Sequence, residues 1–369
     1  MTEWRECKLG DVIVLNYGKA LPEKKRVFGN IPVYSSAGLT GYHNESLVNG
    51  RGIIIGRKGT IGSVHFSYKP FWCIDTAYYI TDNEEYNLKY IYYLLQTLGL
   101  NELNEDSAVP GLNRNTAYQQ DISFPPLPEQ KAIAEVLSSL DDKIDLLTRQ
   151  NKTLEDIAQA YFRKWFIEEA RDEWITGRLG DLCEVITKGT TPTTIKKNFV
   201  NNGINFLKVE SISDSGAFLE DKFMHIDEET HNLLKRSQLK ENDVLCSIAG
   251  TIGRIARVSK EILPANVNQA LAIIRAKKYF RFIYYLLKSD IFQNEIHSRI
   301  VESVQANLSL SEISSIEIAI PEELINKFEL FVAPIDDKVQ NNKNQIRILS
   351  KLRDTLLPKL ISGEIRIKM

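Results

Sequence analysis

The residues closest to a chemical site are Gly56-Arg57-Lys58-Gly59-Thr60-Ile61-Gly62. Glycines beside Arg, Lys and Thr suit a phosphate, which takes backbone N–H groups, cations and hydroxyls together. The spacing is not that of a P-loop, because G-x-x-x-x-G-K-[ST] is absent. A β-like stretch follows the glycines, where a dinucleotide fingerprint would need a helix. A tight turn between two strands accounts for the same glycines without a ligand. The pattern returns as Ala249-Gly250-Thr251-Ile252-Gly253-Arg254, with the glycines kept and the arginine moved. That fits one turn carrying different contact residues. Arg57 and Arg254 are candidates for guanine or phosphate contact, with Lys58, Thr60 and Thr251 beside them. A surface or strand-edge arginine is the plainer reading of each.

Other polar clusters surround these turns. Lys19, Lys24, Lys25 and Arg26 form a basic run, and Lys188, Lys196 and Lys197 stand among Thr190, Thr191, Thr193 and Thr194. Lysines and short hydroxyl side chains on such loops suit phosphate contact. A solvated loop is the alternative. Arg114 and Lys208 add cations on neighbouring loops. Asn266, Asn268 and Gln269 form an amide cluster able to read adenine edges, or else a polar strand end.

No catalytic set emerges. Asp141-Asp142 and Asp336-Asp337 fall inside helical stretches, where surface charge is the expected role. G-x-S-x-G is absent. Phe124-Pro125-Pro126-Leu127 lacks the Asn or Asp of an amino-methyltransferase motif. The 4 cysteines form no C-x-x-C pair, so buried reduced thiols are expected rather than a zinc site. Net charge is −2 over 369 residues, so any nucleic-acid face must come from local clusters or a partner. The N-terminus is polar and charged, and no long apolar run is present, so the expected location is cytoplasmic with no membrane span.

The elements that must position these loops are written twice. Ile-Tyr-Tyr-Leu-Leu occurs at 91–95 and 283–287, Leu-Gly-Asp at 9–11 and 179–181, and Gly-Thr-Ile-Gly at 59–62 and 250–253. Asp-Asp-Lys-Ile at 141–144 returns as Asp-Asp-Lys-Val at 336–339. An internal repeat this long predicts two similar domains related by an approximate two-fold axis. In the first copy a strand is expected at Val12–Leu15, several short strands over 51–80, a helix over 87–104, a polar loop over 109–120 and a strand at 121–125. The second repeats this plan at 244–275, 280–297 and 304–320.

From Pro128 to about Ala170 the apolar residues fall into heptads. Leu137, Leu140, Ile144, Leu147, Asn151, Leu154, Ala158, Tyr161 and Trp165 make an a/d seam with Asn151 as its polar exception. A helix of about 40 residues spans roughly 60 Å. Val332, Ile335, Val339, Asn342, Ile346, Leu349 and Leu356 form a second, weaker seam, with Arg353 at an a position and Pro334 expected to kink the early turns. Antiparallel pairing with Asn151 opposite Asn342 sets Ile144 against Leu349, Leu147 against Ile346, Leu154 against Val339 and Ala158 against Ile335.

Pro126-Leu127-Pro128-Glu129-Gln130-Lys131-Ala132-Ile133-Ala134, running on to Leu140-Asp141-Asp142-Lys143-Ile144, resembles the conserved region of type I restriction–modification specificity subunits (HsdS). So do Gln159-Ala160-Tyr161-Phe162-Arg163-Lys164-Trp165-Phe166, Lys188-Gly189-Thr190-Thr191-Pro192, and the tail from Leu356 to Ile365. The second copy departs from the pattern, with Pro321-Glu322-Glu323-Leu324 in place of Pro-x-x-Glu-Gln. The resemblance implies two target-recognition domains, each reading a half-site of double-stranded DNA, and a coiled-coil spacer. It also implies two HsdM methyltransferase subunits that bind S-adenosylmethionine, and HsdR restriction subunits that use ATP and Mg2+. The chain itself would bind no cofactor and catalyse nothing.

The fold expected is α+β: two pseudo-two-fold-related α/β target-recognition domains separated by two long antiparallel coiled-coil helices. Residues 1–127 and 171–320 are the domains, and 128–170 and 321–369 the helices with the tail. Loops near 19–43, 56–66 and 109–116, and near 188–198, 208–216 and 250–257, are expected to face a bipartite, asymmetric DNA target. Self-association is expected when HsdM is absent. A stand-alone methyltransferase or nuclease, and a coiled-coil adaptor with no DNA role, remain as alternatives on the residues alone.

Overall fold

The computed structural model describes residues 4–103, 111–301 and 307–367. Residues 104, 109–110 and 304–306, which entered the expected helix and loops, lie outside that range. The chain divides into two compact units: one runs to Leu147 and resumes at Gln345, and the other is Thr148–Asn344. Each long helix contributes a segment to both units.

Each unit repeats one sheet plan. In the first unit an antiparallel four-stranded sheet runs Asn16–Tyr17, Ala77–Thr81, Gly52–Gly56, Val64–Ser67. A three-stranded sheet orders Gly38–His43, Ile31–Ser35 and Trp72–Cys73, the last pair parallel. Arg5–Lys8 pairs with Asp121–Phe124. The second unit has the same three sheets in the same order. They are Cys183–Lys188, Leu271–Ala276, Val244–Ser247, Ile255–Arg257; then Met224–Ile226, Ile204–Leu207, Ala265–Val267; and Thr176–Arg178 with Glu317–Ala319.

Apolar spacing explains the cores. In the helix Leu88–Thr97, Ile91, Tyr93, Leu94 and Leu95 are buried, and they pack with Ile133, Leu137, Leu360 and Ile361. In the second unit Ile283, Tyr285 and Leu287 pack with Ala158, Phe162, Phe328 and Val332. Cys73, Cys183 and Cys246 are buried thiols, each pushed up to about 12 by burial, and Cys7 is half-buried.

Several expectations are corrected. Val12–Leu15 is not a strand: Leu9-Gly10-Asp11 closes a 3-10 turn, with the Lys8 N–H donating to Asp11 Oδ2 (2.9 Å), and pairing begins only at Asn16. The same turn recurs at Leu179–Leu182, where the Arg178 N–H donates to Asp181 Oδ2 (2.8 Å). The expected polar loop contains a helical turn, Arg114–Tyr118, whose Asn113 cap accepts the Asn115 N–H. The helix expected over 280–297 is two, Phe280–Lys288 and Asp290–Val301, separated where Ser289 takes an extended conformation.

The first long helix, Leu127–Arg163, continues as a π turn to Glu168. Its start is fastened by polar groups that are themselves buried. Gln130 Nε2 donates to Pro125 O (2.8 Å) and its Oε1 accepts the Asn87 N–H (2.9 Å). Glu129 accepts from Trp4 Nε1 and, in a fork, from Arg366. The second long helix, Glu322–Ile361, runs without interruption through Pro334. Proline removes a donor to the carbonyl four residues back. That residue is Leu330, 79% exposed, where water can satisfy the freed group.

Within the second unit, Asn342 Nδ2 donates to Asn151 Oδ1 (2.9 Å), and both amides are buried. Within the first, Arg353 Nη1 donates to Asp141 Oδ1 (2.9 Å). From Asn151 to Tyr161 the partner on the second helix steps back from Asn342 to Phe331, so the pairing is antiparallel. Leu147 and Val339 are buried, while Leu140, Ile144, Leu154, Ile346 and Leu349 are half-buried. The acidic pairs are not simple surface charge. Asp141 also accepts the Tyr93 hydroxyl (2.6 Å), and Asp336 is buried with Arg257 and Arg281. Only the second members, Asp142 and Asp337, are exposed.

Candidate nucleic-acid interface

The glycine turn is built by the same backbone bonds in both units. Gly56 N–H donates to Ser63 O (2.8 Å) and Gly62 N–H to Gly56 O (2.9 Å). Ser247 N–H donates to Arg254 O and Gly253 N–H to Ser247 O, both at 3.0 Å. Gly59 and Gly250 hold φ near +79° and +73°, a region open to glycine at little cost. Arg57 O accepts the Leu112 N–H (2.8 Å), as Ile248 O accepts the Leu308 N–H (3.0 Å). Lys58 bridges to Gly111 as Ala249 bridges to Asn307. One frame is therefore used twice, and the side chains on it differ.

On the first frame the turn, the strand Asn16–Tyr17 and the helical turn Arg114–Tyr118 converge. The Arg57 guanidinium lies over Tyr17 (5.3 Å) and Tyr78 (5.9 Å), and that of Arg114 over Tyr17 (5.2 Å). Tyr17 and Tyr78 meet edge to face at 5.1 Å. The Nε atoms of both arginines are buried without a hydrogen-bond partner, and among the described residues neither arginine has a carboxylate partner. Tyr78 donates to Leu112 O (3.1 Å). Burial first, then its contact with Tyr17, pushes its hydroxyl up to about 12 against the pull of the two arginines. Tyr78 therefore stays a neutral phenol beside the two guanidinium groups. A guanidinium over a tyrosine ring with no carboxylate to neutralise it keeps its charge for a bidentate acceptor such as a phosphate or a guanine edge.

The remaining first-unit candidates divide. Lys19, Lys24, Lys25, Lys58 and Thr60 are exposed. Arg26 is committed to the hairpin, donating from Nη1 to Thr40 O (2.7 Å).

The second unit presents less. Arg254 donates from Nε to Asp214 Oδ1 (2.8 Å) and from Nη1 to Ile212 O (2.9 Å), so its guanidinium braces the loop 209–214. Lys197 pairs with Glu229 (2.7 Å), and Lys208 with Glu210 (3.7 Å) while lying over Phe199. Asn266 is fully buried and satisfied by Leu234 O, Ser237 Oγ and His231, so it does not belong to a base-reading amide cluster. Lys188, Thr193, Lys196, Thr251 and Gln269 are exposed. Thr191 bonds Gln269, and Arg236 Nη2 reaches Thr190 Oγ1 (3.1 Å), which joins two separated loops into one polar ridge. Sequence reading missed Tyr17, Tyr78 and Arg236, because nothing in their local spacing marks them; only the strand pairing brings them in.

Comparison with known proteins agrees with this organisation. The family model described as type I restriction modification DNA specificity domain matches residues 1–156 and again 171–356. The MjaIX specificity subunit of Methanocaldococcus jannaschii is 29% identical over 86% of this chain and 78% of that protein. The EcoBI specificity subunit of Escherichia coli is 24% identical over 85% of this chain and 73% of its own length. The crystal structure of a type I restriction–modification S subunit from M. genitalium shares the fold, with a TM-score of 0.64 at 18% identity, covering 99% of this chain and 96% of that one. Specificity subunits are the non-catalytic components of type I restriction–modification enzymes. With two matched domains over most of its length, this chain belongs to the type I restriction–modification specificity subunit family.

Proposed function

We propose that the chain reads a bipartite, asymmetric duplex DNA target, one half-site per domain, with residues 1–127 and 171–320 as the readers. The observation that carries this reading is the shared turn with different side chains. One frame bears exposed Lys58 beside Arg57 and Arg114 over tyrosines, and the other bears aliphatic residues at the turn and an Arg–Thr–Gln ridge nearby. Arginine forks suit guanine O6/N7 or phosphate, and amides and hydroxyls suit other edges, so two different half-sites follow. The long helices serve as the spacer between readers and as the docking ground for two HsdM subunits. HsdR joins that complex, and the isolated chain self-associates when HsdM is missing. S-adenosylmethionine belongs to HsdM, and ATP with Mg2+ to HsdR.

Mapping adenine methylation across the genome, in cells with the gene intact or deleted, tests this reading. The expected result is one split, non-palindromic motif that disappears on deletion. A motif that persists, or one that is palindromic, rejects it.

A further inference from the structure

The loop before the Ile31–Ser35 strand carries an apolar tip that the fold does not use. Phe28 is 100% exposed, and Val27, Leu39 and Tyr42 around the same hairpin are each more than half exposed. The segment is nevertheless pinned. Arg26 donates to Thr40 O (2.7 Å), and the Val27 N–H donates to Nδ1 of His43 (3.0 Å), a buried ring set edge-on to Trp72. Gly29 lies so close to the chain at His43 and Asn44 that a Cβ there would meet backbone at 2.4 Å. A phenyl ring fully in water forgoes the gain of burial, and here the backbone holds it out. Lys24 and Lys25 stand on the turn just before it, exposed and, among the described residues, without ion pairs.

We propose that Phe28 packs its ring against the bases of the first half-site, as an apolar base contact set among phosphate-binding lysines. The proposal rests on the DNA-reading function above. The flanking cations favour a polyanion over an apolar protein surface, and an aromatic ring among them suits base surface. Two geometries share this chemistry: contact with a thymine methyl group, or insertion at an unstacked step.

The test uses the full chain assembled with its methyltransferase subunits and a duplex carrying the mapped target. Binding is measured over a range of salt concentrations. Phe28→Ala should weaken binding roughly 10- to 100-fold with the salt slope unchanged. Lys24→Ala with Lys25→Ala should instead lower the slope. Replacing half-site thymines by uracil reproduces the loss if the methyl group is the contact, whereas 2-aminopurine fluorescence in the half-site drops in the Phe28→Ala complex if a step is unstacked. Unchanged affinity, or failure of the variant to assemble with the methyltransferase subunits, overturns the proposal. If the unaltered complex ignores the duplex, the DNA-reading function itself falls. Because Phe28 touches no core residue, the melting temperature should stay put.

Discussion

The two units spend the arginines around their shared turn differently, although the first unit also ties Arg353 to Asp141 and Arg366 to Glu129. In the first, Arg57 and Arg114 lie on tyrosine faces with no carboxylate among the described residues. In the second, Arg254, Arg257, Arg275 and Arg281 are tied to Asp214, Asp336, Asp243 and Glu329. The backbone bonds of the glycine turn are the same in both although Arg57 and Lys58 stand where the second unit has Ile248 and Ala249, so the turn does not depend on those side chains. Gly18 N–H donates to Ala77 O as Gly189 N–H donates to Leu271 O, which sets Tyr17 where the second unit has Lys188. Arg57, Lys58 and Arg114 correspond likewise to Ile248, Ala249 and Leu310. A frame held by its main chain is free to vary its contacts, which is what two different half-sites require.

The largest effect should come from the tied arginines. Asp336→Ala leaves Arg257, only 7% exposed at its side chain, and Arg281 without their shared carboxylate. Removing one partner of a buried pair costs about 3–5 kcal/mol. Denaturant unfolding of the second unit should show it, and a loss below about 1 kcal/mol would break the contrast between tied and presented arginines.

The presented arginines should behave in the opposite way. Arg57→Ala or Arg114→Ala should each cost about 1–3 kcal/mol of target binding and relax base preference in one half of the motif. Stability should move little, because the stacked groups make no ion pair to lose. Methylation mapping with each variant reads this directly: relaxation in both halves at once would mean that the cluster does not belong to a single reader.

Part of this was legible in the sequence. The repeat gave two units of one plan because its landmarks, Ile-Tyr-Tyr-Leu-Leu and Gly-Thr-Ile-Gly, are core and turn residues with strict local demands. Asn151 and Asn342 stood out because a polar residue at an a position breaks an apolar period. The partners of Arg254 could not be read, since Asp214 lies 40 positions away and meets it only through the fold. Asn266 looked like a surface amide beside Asn268 and Gln269, yet strand pairing turns it inward toward Ser237. Pro334 was expected to disturb the second helix, and the helix is continuous through it, with the freed carbonyl at exposed Leu330.

Arg254→Ala sharpens the comparison at smaller scale. The guanidinium bonds two carbonyls and an exposed aspartate, so the loss should be about 1–2 kcal/mol, discounted for the solvent around Asp214. The salt slope of DNA binding should not change. A lowered slope would return Arg254 to the class of Arg57 and make the two turns functionally alike.

The smallest effect concerns the helix segments of the second unit. Burial raises the Glu155 pKa, but Lys343 at 3.0 Å and Lys288 at 3.3 Å outweigh it, and the carboxyl titrates below its ordinary 4.5. A carboxyl lowered in the folded state stabilises fully above its unfolded pKa, and that contribution is lost as pH falls through the folded value. The Glu155 contribution is thus present at neutral pH and disappears in acid below about 4.5. Glu155→Gln should cost about 1 kcal/mol or less at neutral pH and nothing further in acid, so the two stability curves should converge as pH falls. Parallel curves would mean that Glu155 acts by packing alone, leaving the Asn151–Asn342 bond as the polar device that sets register in this unit.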